Sequence, residues 1–379
     1  MDVATRAREI VEPLGETTDA SEAARCLDRR AAALLREAEL SKIMTPTSHG
    51  GFELSPRALV EAERVVAHGC TAASWVLMVT GAHTFIAGRL PEAGLDEVFG
   101  DDPGVLIPGV PSTWPGRARK VEGGFIVNGR WAYASGADHG PWLIAGAHGD
   151  DSCEPQLVFV PSSDAAFEDT WHTLGMRGTG SKDMILEDVF VPDHRAVPAR
   201  AAELGTLPHV DTGLYRLPIQ CTLATMLMGS VVGIADRILD TTLEQNRTRR
   251  DAYTGDAKRD SPGMQRRVAE ASGEIECAWA LVQTSCDLLE AAMVAPEPMS
   301  RADRARVRWN AAYGAELCIR ATDRLFAAAG SGAAADRNPL QRLGRDMHTA
   351  ARHAMLDLDN AAAMQGKAMF DIDQSDNRV

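Results

Sequence analysis

The sequence predicts a mostly α-helical protein with a central β domain, in the order helices, β domain, four-helix bundle. Three observations carry this. Apolar residues recur at helical spacing through residues 1–108 and again through 212–379. Between them, in 109–211, Gly and Pro punctuate short β-prone runs. Nowhere does the chain alternate strand and helix as a doubly wound sheet does.

In the first segment, "SEAARCLDRRAAALLREAEL" spaces Ala23, Leu27, Ala31, Leu34 and Leu35 for one helix, with Asp19 or Ser21 as its cap. "TPTSHGGFELSP" is a connection. "RALVEAERVVAHGCTAASWVLMVTGAHTFIAGRL" resumes the helical pattern, and Pro91 suits the first turn of another helix. The middle segment reads as a small antiparallel barrel or sandwich. Its strands include "GFIVNG", "WLIAGA", "PQLVFVP" and "DMILEDVFVP", with "EGG" and "NG" as hairpin turn signals. The last segment holds four long helical runs joined by short connections, hence a bundle. The first, "PIQCTLATMLMGSVVGIADRILDTTLEQNRTRR", is apolar nearly all round for several turns and should be buried.

Composition narrows the function. The 379 residues carry a net charge of −14, which argues against a general nucleic-acid binder or an anionic-membrane ligand. No run of about eighteen apolar residues is apparent, so no membrane span is expected. The N-terminus lacks the apolar core of a signal peptide. Seven cysteines form no C-x-x-C pair, which suggests reduced thiols in a cytoplasmic protein. Neither G-x-G-x-x-G after a strand nor G-x-x-x-x-G-K-[ST] occurs, and no histidine spacing suggests a metal site.

Several residues have the chemistry of a site. "GMRGTGSKD" brings Gly178, Thr179 and Ser181 into a loop whose backbone a flat ring or an anion can approach. "ASG" sets Ser135 beside Gly136, and Trp131 and Trp142 flank it; tryptophans in β domains are more often core. His83, His348 and His353 lie in helical patterns, where a histidine is by default a core residue but is also the ready proton donor near neutral pH. "NRTRRDAYTGDAKRD" clusters arginines, read either as a solvated helix end or as a phosphate grip. Arg345–Asp346 reads as a solvated or bundle-stapling pair.

Taken together, "PTSHGGFEL", "SWVLMVTGAHTFIAGRLP", "GGFIVNGRWAYASGADHGPWLIAGA", "WHTLGMRGTGSKDMILEDVFVP" and "AAGSGAAADRNPLQRLGRDMHTAARHAM" resemble the acyl-CoA dehydrogenase fold. More closely they resemble its oxygenase branch, the flavin-dependent monooxygenases of two-component systems. The resemblance implies a homotetramer binding reduced flavin, FMNH2 or FADH2, between the β domain and the bundle. It implies O2 as co-substrate, a separate NAD(P)H:flavin reductase, and a small aromatic or amine-bearing substrate oxygenated through a C4a-hydroperoxyflavin. By the same resemblance Trp131, Ser135 and Gly136 wall the flavin, with the Ser135 hydroxyl near N5, and Ser112 lines the ring. Gly178, Thr179 and Ser181 lie near the flavin, and His83 points toward the substrate. Arg247 or Arg249 with Gln265 contacts phosphate from a neighbouring subunit. His348 or His353, following Arg345, itself a cofactor contact by this resemblance, stands near C4a.

One departure bears on the reaction. Acyl-CoA dehydrogenases commonly carry a glutamate base after the Arg-Asp pair, whereas "HTAARHAMLDLDNAAAMQG" has none. The expectation is therefore a monooxygenase, with an acyl-CoA dehydrogenase or a non-catalytic flavin-binding member as the alternatives.

Overall fold

The computed structural model describes residues 2–151, 153–210 and 213–372. Seven helices open the chain: α1 (Val3–Glu9), α2 (Val11–Gly15), α3 (Thr18–Ala24), α4 (Arg29–Glu37), α5 (Pro56–Gly69), α6 (Thr71–Ala87) and α7 (Glu92–Phe99). The helix expected over residues 21–40 is thus two. Arg25 takes a left-handed conformation that ends α3, and the Asp28 side chain accepts the Arg30 N–H at 2.8 Å to cap α4, the role expected of Asp19 or Ser21. The next run also splits, because Cys70 is extended (φ −146°) where Gly69 lies close against α2.

Eight strands follow: β1 (Gly109–Val110), β2 (Gly116–Val121), β3 (Gly124–Ala134), β4 (Trp142–Gly149), β5 (Gln156–Pro161), β6 (Ala166–Glu168), β7 (Lys182–Pro192) and β8 (Ala196–Pro198). They pair in the order β6-β7-β3-β2-β4-β5-β8, with β1 against β4. The sheet is mainly antiparallel, but β1–β4 and β2–β4 are parallel, a departure from the wholly antiparallel expectation. "EGG" makes the β2–β3 turn, with Gly123 at φ +74°. The "NG" at Asn128–Gly129 makes no turn. It lies inside β3, where the Asn128 side chain exchanges hydrogen bonds with Asp188 of β7 beside a register shift.

The C-terminal part contains α8 (Ala199–Leu204), α9 (Ile219–Thr248), α10 (Pro262–Val294), α11 (Arg301–Ala329), α12 (Pro339–Ala350) and α13 (Leu358–Met369). The fourth expected helix is therefore broken into α12 and α13. His353 and Asp357 cap the short elements at the break, each accepting a backbone N–H, so His353 stands on a turn. Contrary to expectation, α9 is long and apolar enough to span a membrane, but 83% of its apolar window is buried inside the fold.

Two apolar clusters organise the molecule. The larger joins the N-terminal helices to the bundle through α6 and α9. The β domain has its own, centred on Trp131, Val127, Leu143 and Val158.

Candidate active site

Helix α6 is the spine on which the three parts of the chain meet. It has no Asp, Glu, Lys or Arg, and nearly every residue is buried, so its polar groups must find partners within the protein. Four contacts radiate from its first two turns. The Thr71 hydroxyl donates to Asp346 Oδ2 of α12 at 2.8 Å. Ala72 lies against Gly178, where a side chain would collide with Ala72 and Ser21. The Trp75 ring packs on His353, with centroids 5.9 Å apart. Val76 abuts Gly136, which holds φ +74° in the turn after β3.

The β-domain loops present hydroxyls at this junction. Ser135 Oγ is 2.7 Å from Ser181 Oγ, which is 2.6 Å from Thr179 Oγ1. Thr179 Oγ1 donates to the Met176 carbonyl at 2.8 Å. All three hydroxyl residues are buried. The Gly136 N–H also donates to the Thr179 carbonyl at 2.8 Å, fastening the two loops together. Tyr133 (φ +73°) and Met176 (φ +53°) are left-handed non-glycine residues beside these loops. Such strain costs about 1–3 kcal/mol and clusters at functional sites. Here it aims Ser135 and the Met176–Ser181 loop.

Asp346 ties the arrangement to the bundle. It is 2% exposed and accepts the Met176 N–H at 2.6 Å as well as the Thr71 hydroxyl. Burial raises its pKa to about 6, against the lowering effect of those two hydrogen bonds.

Two histidines have defined tautomers. His83 Nδ1 donates to the Ile107 carbonyl at 2.7 Å, which leaves Nε2 as an acceptor. Burial pushes its pKa down to about 4, so it is neutral at pH 7. His353 Nδ1 accepts the Met355 N–H at 3.2 Å, which puts the proton on Nε2. Its edge is open in the isolated chain, but the protein around it and the nearby Arg308 charge lower its pKa as well.

The sequence-selected residues therefore separate. Ser135, Gly136, Gly178, Thr179 and Ser181 come together, and His353 reaches the same helix through Trp75. His83 is two turns further along α6. Ser112 is exposed ahead of β2 and offers its carbonyl to Trp131. Trp131 does not line a cleft. It is fully buried in the β-domain core, its indole N–H donating to the Gly146 carbonyl at 2.8 Å, so it supports the wall from behind. His348 turns away, pairing with Asp323 of α11 at 2.9 Å. Arg345 binds Gln341, the Leu174 carbonyl and Glu22, so it joins three segments of its own chain. Arg249 donates to the Ala329 carbonyl at the end of α11. Arg247 and Gln265 are exposed, and Gln265 donates to the Arg259 carbonyl.

An open concavity of about 410 Å³ lies between α10 and α11, lined by Arg266, Arg267, Arg320, Asp323, Arg324 and Ala327. Arg320 and Arg324 pair with Glu274, and Arg324 also with Glu270. The sequence reading missed these arginines, because they lie on two helices whose facing is a tertiary fact. It also passed over Trp75, whose one available signal was its place two turns before His83 on an uncharged helix.

A family model for the acyl-CoA dehydrogenase C-terminal domain matches residues 225–358. The oxygenase subunit HsaA of a flavin-dependent monooxygenase from Rhodococcus jostii (strain RHA1) is 31% identical over 352 residues, covering 91% of this chain and 92% of that protein. The chain belongs to the oxygenase subunits of flavin-dependent monooxygenases. The oxygenase component of an FADH2-dependent resorcinol hydroxylase from Rhizobium sp. (strain MTP-10005) is 29% identical, covering 90% of this chain and 87% of that protein. XiaF from Streptomyces sp., solved with FADH2 and glycerol, has a TM-score of 0.92 and 30% identity, covering 99% of this chain and 96% of that chain. As such an oxygenase subunit the protein uses reduced flavin and O2, acts on a small-molecule substrate, and relies on a separate reductase. The groups gathered at α6 fit a flavin ring: a buried serine oxygen and an imidazole N–H.

Proposed function

We propose that the protein hydroxylates a small phenol, with reduced flavin lying along α6 beside Ser135 and His353. The observation that carries this reading is the pair of neutral histidines with opposite Nε2 roles, His83 accepting and His353 donating. When bound, reduced flavin activates O2 so that one oxygen atom reaches the substrate. His83 Nε2 accepts the phenol O–H, which orients the ring. His353 Nε2–H donates to the oxygen that leaves as hydroxide. Ser135 holds the flavin ring, while Trp75 and the apolar flank of α6 exclude water that would divert the oxygen to peroxide.

FADH2 is preferred to FMNH2 in this reading, since the resorcinol hydroxylase is named FADH2-dependent and XiaF was solved with FADH2. The arginine concavity between α10 and α11 takes the phosphates of a flavin held by a neighbouring copy, in a homotetramer, in place of the Arg247, Arg249 and Gln265 set. Residues 1–108, 109–211 and 212–379 are the working domains. The free cysteines and the need for NAD(P)H-derived reduced flavin support a cytoplasmic setting.

The test supplies purified protein with FADH2, O2 and a panel of phenols, then measures hydroxylated product and hydrogen peroxide. Product from at least one phenol, lost in His83→Ala and His353→Ala, supports the reading. Peroxide alone from every phenol refutes it.

A further inference from the structure

The exposure left on α6 is concentrated on one side. Ala73, Val76, Leu77 and Phe85 are 0% exposed. Beyond the first turn, the largest residual exposures belong to Trp75 (7%), Val79 and His83 (4%), and Val79 is the least buried residue of the whole helix. These three are spaced four residues apart. They therefore share an arc of about 80° and a length of about 12 Å along the helix.

The direction of the side chains explains why Val79 stays open. On a helix a long side chain leans toward the N-terminus and covers the turn before its own. His83 thus overhangs the turn of Val79, while Trp75 leans away from it and packs on His353. Val79 is left uncovered between two aromatic rings. Thr80 and Thr84 donate their hydroxyls back to the Val76 and Thr80 carbonyls, at 2.8 and 2.9 Å. Neither competes with His83 Nε2 for the hydroxyl of a ligand. Val79 is also β-branched, and a helix holds such a residue in one χ1 rotamer. Its methyl groups cannot swing aside as those of a leucine or methionine can.

We propose that Val79 is a specificity-determining residue, a rigid gauge that limits the size of the group beside the phenol hydroxyl. The inference rests on the reading that His83 Nε2 accepts the phenol O–H. A ring held at that atom lies with the edge next to its hydroxyl on the Val79 methyl groups. A bulky substituent at this ortho edge must displace a side chain that has no second rotamer. The packed helix beneath it leaves no room to yield. A group at the para end of the ring points away from the hydroxyl and does not meet Val79. The substrate class is therefore a phenol with at most a small ortho substituent.

The test measures kcat/KM with FADH2 and O2 for phenol, ortho-isopropylphenol and para-isopropylphenol, on wild type, Val79→Ala and Val79→Leu. Each alkylphenol is expressed as a ratio to phenol on the same protein, so a loss of folding or of flavin affinity cancels. Val79→Ala should raise the ortho ratio about tenfold, the scale of one or two methylenes in an apolar pocket. Val79→Leu should lower it, which keeps the test decisive if the alanine variant folds poorly. The para ratio should stay as in wild type. An ortho ratio unchanged in both variants, or a para ratio that moves in step with it, overturns the inference and leaves the placement of the phenol at His83 standing. Peroxide alone from every phenol in the wild type overturns that placement, and the inference with it.

Discussion

Asp346 Oδ1 accepts the backbone N–H of Met176 at 2.6 Å, joining the bundle helix α12 to the loop that carries Thr179 and Ser181. The other oxygen takes the Thr71 hydroxyl, so one carboxyl fixes the bundle, the β domain and α6 together. Removing it leaves two buried donors without partners, at about 1–3 kcal/mol each. Asp346→Ala should therefore lower the Tm by several degrees and weaken FADH2 binding along with it. Differential scanning calorimetry and an anaerobic flavin titration check this. An unchanged Tm with full flavin affinity would show that the junction is held elsewhere.

His83 predicts acid sensitivity. Its pKa lies near 4 in the fold and at 6.5 unfolded, so between these values the unfolded chain binds more protons. The stability from keeping His83 neutral is complete above pH 6.5 and declines as pH falls toward 4. The difference amounts to about 3 kcal/mol. Urea unfolding at pH 7.5 and pH 5 should reveal about 2 kcal/mol of this loss in wild type and less in His83→Gln. Equal losses in both proteins would rule His83 out as the cause.

Glu63 predicts the opposite trend. It is fully buried on α5 against Gly229 of α9, and burial raises its pKa well above 4.5, against the lowering effect of the Ser230 backbone N–H. The unfolded chain releases this proton first, so stability falls as pH rises past 4.5. Glu63→Gln keeps the shape without the charge. It should match wild type near pH 4.5 and exceed it at pH 8, in denaturant midpoint. A glutamine variant less stable at pH 8 would contradict this account.

The two bundle histidines should separate cleanly. His353→Ala removes a proposed proton donor, whose loss typically costs 10²–10⁴-fold in rate. Turnover should collapse and peroxide rise per FADH2 consumed. His348→Ala removes a partly exposed pair with Asp323, worth at most about 1 kcal/mol, and should leave product yield nearly unchanged. The reverse pattern would move the catalytic role to His348.

Much of this was legible in the chain, because helix periodicity, Gly/Pro punctuation and the "ASG" and "RGTGS" stretches are local signals. The misreadings have a common origin. Arg345 and Arg249 looked available for a ligand because their partners, Glu22 and the Ala329 carbonyl, lie far off in sequence. Asn128–Gly129 looked like a turn because its cross-strand partner Asp188 belongs to a strand sixty residues away. The breaks at Cys70 and at Ala351–Asp357 carry no proline; the first is set where Gly69 packs against α2, and the second by the His353 and Asp357 caps, whose signal is weak in an otherwise helical run.

By itself, the sequence determined the order of helices, sheet and bundle, the uncharged helix that became α6, and the hydroxyl and histidine residues available for chemistry. These follow from spacing within a few turns of chain. Tertiary structure alone decided that Trp75 meets His353 and not His348, that Trp131 lies behind the wall, and that Ser135, Ser181 and Thr179 share one buried run of hydroxyls. Each of these depends on which distant groups share a buried space, where every donor and acceptor must be matched.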